Sequence, residues 1–469
     1  MTDRIEDKTL VNTNIKKTRR AAIIVVLLTA FTMSLTGSAM NLSIPMIGEE
    51  FDVDASTVGW MVTGYMLTIA ALSVPFGRLS DITCRKTVLV TGGCIFIGGC
   101  IISVSAFGFP MLLASRIVQG IGGAMVLSCN VPILIGTYPP AMRGKALGMA
   151  VGGVYAGLSL GPVIGGVITH NLGWRWIFVF AGILTAIAVV TAIPGIPRET
   201  SQLKGLVKMD YRGSALFVVF IVMFMLGLSK IEAGAIPVAT AFAGLAMGGV
   251  FVVYASRVSD PILNVHLFRE NIGYALSNVS AMLNYAATFA MGYLTSIYLQ
   301  VAMGYSSQTA GLILIAQPVV MAVLTPKMGK LSDRYSPFKL SSGGMACCGV
   351  GTLMFVFVSA DTSLPYIIAA LMITGVGMAL FSSPNTNAIL SCVEKKDYGA
   401  ANSVVNTMRS IGQTLSMVIV TIIVTLMLPG MQLEAAGKDN LVSVINVSFI
   451  VFAAMCFAGV FLSLKRKQR

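Results

Sequence analysis

Gly77-Arg78-Leu79-Ser80-Asp81-Ile82-Thr83-Cys84-Arg85-Lys86 stands between two long apolar segments that hold almost no charge. The stretch reads as a charged hinge between two membrane helices. Glycine lets a helix end turn tightly, an aspartate can cap the next helix, and basic residues stay with cytoplasmic headgroups. Gly329-Lys330-Leu331-Ser332-Asp333-Arg334 is a near copy in the second half, again between apolar segments. Internal repeats of membrane helices are how many transporters are built. The hinge and gating residues expected from the two copies are Gly77, Arg78, Asp81, Arg85 and Lys86, then Asp333 and Arg334. Such a junction can latch two helices and release them.

Composition bounds the class. Of 469 residues, 56% are hydrophobic and 11% charged, and the mean hydropathy is +0.84. A soluble domain carries about 25% charged residues, so the chain is a polytopic membrane protein. Its net charge of +13 is dispersed over short loops rather than gathered on a soluble domain, which points to topology and not to nucleic acid. The eight cysteines lack metal-ligand spacing and read as packing residues.

The apolar runs give an all-α fold of about 14 transmembrane helices, as two six-helix bundles plus two inserted helices. Residues 1-20 form a basic cytoplasmic tail. The N-terminal bundle, 21-195, holds runs at Ala21 to Ile47, Val58 to Phe76, Thr87 to Phe107, Met111 to Thr137, Ala146 to Thr169 and Trp174 to Ile193. Residues 196-271 are a linker with two extra spans, Gly213 to Ser229 and Ile236 to Ala255. The C-terminal bundle, 272-464, holds Ile272 to Val301, Thr309 to Thr325, Leu340 to Ala360, Pro365 to Leu390, Ala401 to Leu428 and Leu441 to Leu464, before a cytoplasmic tail at 465-469. Each run matches a bilayer core of about 30 Å at about 1.5 Å per residue.

The charges support that count. Arg85, Lys86, Arg143, Lys145, Arg198, Lys204, Lys208, Arg257, Arg269, Lys327, Lys330, Arg334, Lys395 and Lys396 fall in loops placed inside. Loops placed outside hold little more than Arg175, Lys230 and Lys438, with Glu49, Glu50, Asp52 and Asp54 crowding the first. Basic residues concentrate on the cytoplasmic side, so both termini are expected there, in the plasma membrane.

These residues resemble the major facilitator superfamily, specifically its fourteen-spanner drug/proton antiporter branch of multidrug and tetracycline exporters. The hinge is similar to that superfamily's signature between helices two and three, with Ile82 and Cys84 where a basic residue and a glycine are usual. Leu112, Arg116, Gln119, Gly120 and Gly122 resemble its arginine motif, which implies a coupling role for Arg116 beside Asp81. A charge at that depth costs from about 2.5 kcal/mol upward unless it meets a cavity or partner; the bland alternative is an arginine pinning helix carbonyls. Gly148, Gly157, Gly161, Pro162, Gly165 and Gly166 resemble the antiporter signature and imply export. Gly157, Gly161 and Gly165 at four-residue intervals make a smooth stripe for close helix approach, and Pro162 permits a bend.

Polar residues on apolar helices mark the substrate cavity. Asn402, Asn406, Arg409 and Gln413 share one face of the penultimate helix. Asn278, Tyr285, Thr288 and Phe289 form a mixed face, and Gln317-Pro318 and Pro384-Asn385 mark breaks of the kind that flank transporter sites. The cavity candidates are Thr36, Asn41, Asn278, Tyr285, Phe289, Gln317, Asn385, Asn406 and Arg409. Interhelical hydrogen bonding, worth roughly 0.6 kcal/mol per contact, is an equal reading for any single asparagine.

No nucleotide-binding loop, zinc-protease motif or catalytic cluster is present, so the chain is not read as an enzyme, an ATP-driven pump or a metal or cofactor binder. The expected protein is a proton-coupled secondary transporter, a monomer, exporting amphipathic drug-like compounds by alternating access. A specific exporter of one metabolite or of an anionic or zwitterionic compound is the alternative, and a scaffold or sensor without transport the more remote one. The branch often carries an aspartate in helix one, where this chain has Thr36. Every carboxylate falls in a tail or loop or at a helix rim, so Arg116 and Arg409 have no evident acidic partner. Proton carriage is then left to rim acids such as Asp81, Glu49, Glu50 or Glu232, or to the substrate. Weak recognition of lipophilic cations is expected, with Thr36→Asp strengthening it.

Overall fold

The computed structural model describes residues 2–53, 55–198, 208–229, 231, 234–428 and 437–464, and every long element among them is helical. The N-terminal part runs α1 (Thr2–Ala39), α2 (Ile44–Phe51), α3 (Ala55–Ile82), α4 (Arg85–Val104), α5 (Phe109–Gly136), α6 (Arg143–Leu172) and α7 (Arg175–Gly195). Two helices follow, α8 (Tyr211–Ser229) and α9 (Ala235–Ala255). After the short α10 (His266–Glu270) come α11 (Ile272–Thr288), α12 (Met291–Ile297), α13 (Ser307–Leu314), α14 (Ala316–Leu331), α15 (Pro337–Val356), α16 (Leu364–Ser391), α17 (Tyr398–Met427) and α18 (Lys438–Leu464).

Among the described residues twelve helices are long and apolar enough to cross a membrane, and α6, bent by 43° between Arg143–Gly161 and Val163–Leu172, makes a thirteenth if taken as one span. The remaining expected span, Ile272 to Val301, is interrupted. It is divided into α11, α12 and a π-helical turn at Tyr298–Ala302. The backbone polar groups freed by a break inside a membrane need internal partners; here the Ala290 N–H donates to Ser416 Oγ at 3.0 Å.

Two of the boundaries that differ from the sequence expectation bear on the site. The first apolar run does not continue to Ile47: α1 ends at Ala39, a 3₁₀ turn covers Met40–Ser43, and α2 opens with a proline in its first turn. Proline lacks an N–H and disfavours helix before it, so the break precedes Pro45. The stretch Gly77 to Ile82 is helix, not loop, because α3 runs to Ile82 and only Thr83 and Cys84 separate it from α4.

The chain divides into two compact units. The first comprises Met1–Met209 with the segments Gly329–Asp333 and Glu394–Ser403, and the second comprises Asp210–Met328, Arg334–Val393 and Val404–Arg469. Lipid tails are as apolar as side chains, so helix association in a membrane relies on close van der Waals packing. Glycines supply it at matching places. In the first unit a Cβ on Gly122 of α5 would lie 2.5 Å from Gly92 O of α4. In the second, a Cβ on Gly377 of α16 would lie 2.8 Å from Gly344 O of α15. The helices α8 and α9 pair through Phe217 and Phe251, ring centroids 5.4 Å apart.

Candidate functional site

Asp81 sits one residue before the end of α3 with its side chain enclosed. Its carboxylate accepts the backbone N–H groups of Gly399 at 3.0 Å and Ala400 at 2.8 Å, the first turn of α17. Arg85 Nη2 donates to the same carboxylate at 2.9 Å and to Lys395 O at 3.0 Å. Asp81 was expected to cap α4; it caps α17 instead, and the α4 N-cap residue Cys84 makes no side-chain cap. Gly77 is needed for proximity rather than for a turn: a Cβ there would lie 2.7 Å from Gly399 O and collide with Ser403 Oγ. Arg78 pairs with Asp397 at 3.3 Å, and Lys86 Nζ donates to Ile193 O at 2.5 Å.

The second copy builds the same joint on another helix. Asp333 accepts the N–H groups of Gly144 at 2.5 Å and Lys145 at 2.9 Å, in the first turn of α6. Ser332 Oγ donates to Gly329 O at 2.8 Å, as Ser80 Oγ donates to Gly77 O at 2.8 Å. A Cβ on Gly329 would lie 2.7 Å from Gly148 Cα, which gives Gly148 its place in this joint. Arg334 is exposed. Burial pushes the Asp333 carboxyl above the usual carboxylate range, opposed by the Lys145 and Gly144 N–H groups. A carboxylate at a helix N-terminus is worth about 0.3–1 kcal/mol at a surface and up to about 2 when partly buried.

Arg116 of α5 has no exposed surface. Its Nε donates to Met61 O at 3.2 Å and its Nη1 to Gln119 Oε1 at 2.5 Å. The guanidinium carbon lies 4.3 Å from the Tyr65 ring centroid and 5.8 Å from that of Phe178. Gln119 in turn donates to Ser103 Oγ at 2.7 Å. Among the described residues no carboxylate pairs with Arg116, and Nη2 has no hydrogen-bond partner. Aromatic faces and carbonyls thus stand in for a counter-ion.

The glycine stripe of α6 lies on α1. A Cβ on Gly157 would collide with Phe31 O and lie 3.0 Å from Leu35 N; on Gly161 it would collide with Ser38 Oγ, and on Gly165 it would lie 2.5 Å from Ala39 Cβ. Gly166 is half-buried. The backbone of α6 bends across position 162, while the Pro162 side chain lies outside the described residues.

The cavity candidates divide between the units. Thr36 of α1 has no exposed surface, and its hydroxyl donates to Thr32 O at 2.7 Å; an aspartate there meets an enclosed site. The Asn41 side chain lies outside the described residues, as do Glu232, Lys230, Lys204 and the tail 465-469. In the second unit Arg409 of α17 is half-buried, with its Cζ 5.3 Å from the Tyr285 ring centroid and Nη2 donating to Asn406 Oδ1 at 3.2 Å. The Tyr285 hydroxyl lies 3.4 Å from Ser382 Oγ. Asn278 is enclosed and donates to Tyr274 O at 3.0 Å, and Asn385 donates to Ser277 O at 3.1 Å. Gln317 is half-buried on α14, and Phe289 is exposed at the end of α11. Arg409, Tyr285 and Asn406 thus converge, while Asn278 donates within α11 and Asn385 donates from α16 to α11.

Sequence reasoning did not find Gly399, Ala400, Gly144 and Lys145 as the groups the two aspartates hold. A small residue near the start of a helix that follows a charged loop, present in both halves, was the available signal. It also left Glu50 as a candidate proton carrier. Glu50 Oε2 accepts Trp174 Nε1 at 2.7 Å, and Arg175 Nη2 lies 2.6 Å from Oε1. The Arg175 guanidinium holds this carboxyl below the usual glutamate range, against the effect of burial. Glu50 is thereby a poor proton acceptor.

Repeated membrane helices with one aspartate joint in each repeat define a multi-pass transporter rather than an enzyme. The chain belongs to the Major Facilitator Superfamily, which it matches over residues 26–262 and 278–469. It is 26% identical over 447 residues to riboflavin transporter RibZ of Clostridioides difficile (strain 630), covering 95% of this chain and 97% of that protein. Multidrug resistance protein Stp of Mycobacterium tuberculosis (strain ATCC 25618 / H37Rv) is 25% identical over 408 residues, 85% of this chain and 74% of that protein. Methylenomycin A resistance protein of Bacillus subtilis (strain 168) is 25% identical over 417 residues, 86% of this chain and 88% of that protein. The crystal structure of the human organic anion transporter MFSD10 (TETRAN) shares the fold, with a TM-score of 0.67 at 12% identity over 96% of this chain and 99% of that one.

Proposed function

We propose that this transporter is a secondary active exporter of amphipathic drug-like molecules, driven by proton entry. It works as a monomer in the plasma membrane, with both termini cytoplasmic and fourteen spans counting the interrupted α11 to α12 segment. Transport proceeds by alternating access of the bundles 21-195 and 272-464, the helices of 196-271 being an insert. The observation that supports this reading best is the duplicated joint, in which Asp81 holds the first N–H groups of α17 and Asp333 those of α6. A proton on either carboxylate removes the charge that the helix N-terminus attracts, so proton uptake and release of the joint are one event. Arg116 serves coupling as a fixed charge. The names of the two resistance proteins favour export of toxic compounds.

A second reading, a carrier of one metabolite, is favoured by the match along nearly the full length of a protein named a riboflavin transporter. Flux into sided proteoliposomes under an imposed pH gradient separates the two, using a panel of lipophilic cations, neutral compounds and anions. Gradient-dependent movement of several unrelated compounds supports the exporter of broad range, and movement of one supports the specific carrier. Flux that ignores the gradient for every compound overturns proton coupling.

A further inference from the structure

Arg116 and Arg409 both carry a charge at membrane depth, yet their surroundings differ. Arg116 is enclosed beneath Tyr65 with acceptors at Met61 and Gln119. Arg409 lies about 17 Å along α17 from Tyr398, at about 1.5 Å per residue, and its side chain stays partly exposed. Among the described residues it pairs with no carboxylate, its Nε has no acceptor, and only Asn406 Oδ1 receives a bond from it. Facing hydrocarbon, such a group costs from about 2.5 kcal/mol upward, so its open side belongs to an aqueous path. The α17 face it shares with Asn406 and Gln413 is half-buried and polar, whereas Val405, Ile411 and Gly412 beside it are buried.

The backbone fixes this arrangement. A Cβ on Gly412 would collide with Met282 O and lie 3.1 Å from Tyr285 Cβ. That approach seats the guanidinium against the Tyr285 ring, whose hydroxyl lies 3.4 Å from Ser382 Oγ on α16. Three helices of the second unit thus present an under-bonded planar cation beside an aromatic face.

We propose that this cluster binds the carboxylate of an aromatic organic anion, with Arg409 as its counter-ion and Tyr285 as the surface against which the aromatic body packs. Guanidinium matches a carboxylate with two parallel N–H donors, and the ring offers apolar area without a competing charge. The assignment rests on the transporter reading above and narrows its substrate class to anions, without requiring either proton coupling or broad range.

The test uses the full chain in lipid nanodiscs and three radiolabelled probes of one shape: 2-naphthoate, 2-naphthamide and 2-naphthylmethylammonium. Equilibrium binding to the wild type is expected to favour naphthoate by roughly tenfold, the scale of one charge-assisted pair. Arg409→Gln is expected to remove that preference, and Tyr285→Leu to weaken all three probes alike. Should Arg409→Gln fail to fold, Arg409→Lys, which keeps the charge but loses the fork, must reduce the preference by about threefold. Equal or tighter binding of the amide or the ammonium by the wild type overturns the proposal, as does a preference that survives loss of the guanidinium. Flux measured beside binding separates the two readings. Arginine-dependent anion binding without flux contradicts transport alone, and flux without that preference contradicts the anion site alone.

Discussion

The enclosed Asp81 carboxylate accepts two N–H groups of α17 and the Arg85 guanidinium. An asparagine keeps the shape but has one acceptor oxygen and turns an amide N–H₂ toward a donor. Hydrogen bonds to a charged group are worth about 1.5–3 kcal/mol, so Asp81→Asn should reduce flux about tenfold or more at matched protein level. Asp333→Asn should do the same at α6, and normal turnover in both variants would remove the joints from the mechanism. Arg116→Lys replaces the fork that reaches Met61 O and Gln119 Oε1 by a single ammonium centre and loses the flat face on Tyr65. Thermal unfolding in detergent should show a loss of about 2 kcal/mol, and a midpoint equal to wild type would make the fork dispensable. The Glu50 carboxyl is shifted in the opposite direction to that of Asp333. Because its folded pKa is depressed, its contribution is present above the ordinary glutamate value of about 4.3 and is lost as pH falls through the lower folded value. Glu50→Gln should therefore lower the unfolding midpoint at pH 7, with the gap closing as both proteins are acidified below that range. A gap independent of pH would show that the charge is not the cause.

At the scale of elements, the α1–α6 crossing depends on backbone proximity. Gly157→Ala places a methyl against Phe31 O, whereas Gly98→Ala in α4 meets nothing within 4 Å. The first should lower stability by about 1–3 kcal/mol through overpacking, and the second should raise it by about 0.4–1 kcal/mol through chain entropy. Thermal unfolding of both variants checks the contrast, and a neutral Gly157→Ala would mean that α6 moves away freely. The stripe itself was legible because four-residue spacing marks one helix face without reference to any partner. The interruption after Thr288 was not, since Ile272 to Val301 holds no proline to mark a break and the partner of the freed backbone, Ser416, lies 126 residues away. The α3 end was misread for a related reason. Gly77 and Asp81 carry turn and cap signals, but those signals answer to Gly399, Ala400 and Ser403 far along the chain.

For the whole molecule, apolar runs and dispersed basic loops were enough to define a multi-pass transporter with an internal repeat. What they left open was pairing between repeats, because hydrophobic periodicity identifies a buried face but not its neighbour. The central claim is that the joint at the start of α17 opens during each transport cycle. Ser128 and Ser403 hydroxyls lie 3.1 Å apart beside that joint, and the Ser128→Cys/Ser403→Cys pair, with Cys84, Cys129 and Cys392 replaced by serine, gives a reducible lock. Sided proteoliposome flux should stop when the disulfide forms and return when a reductant breaks it. Full flux with the crosslink shown to be formed would contradict the account.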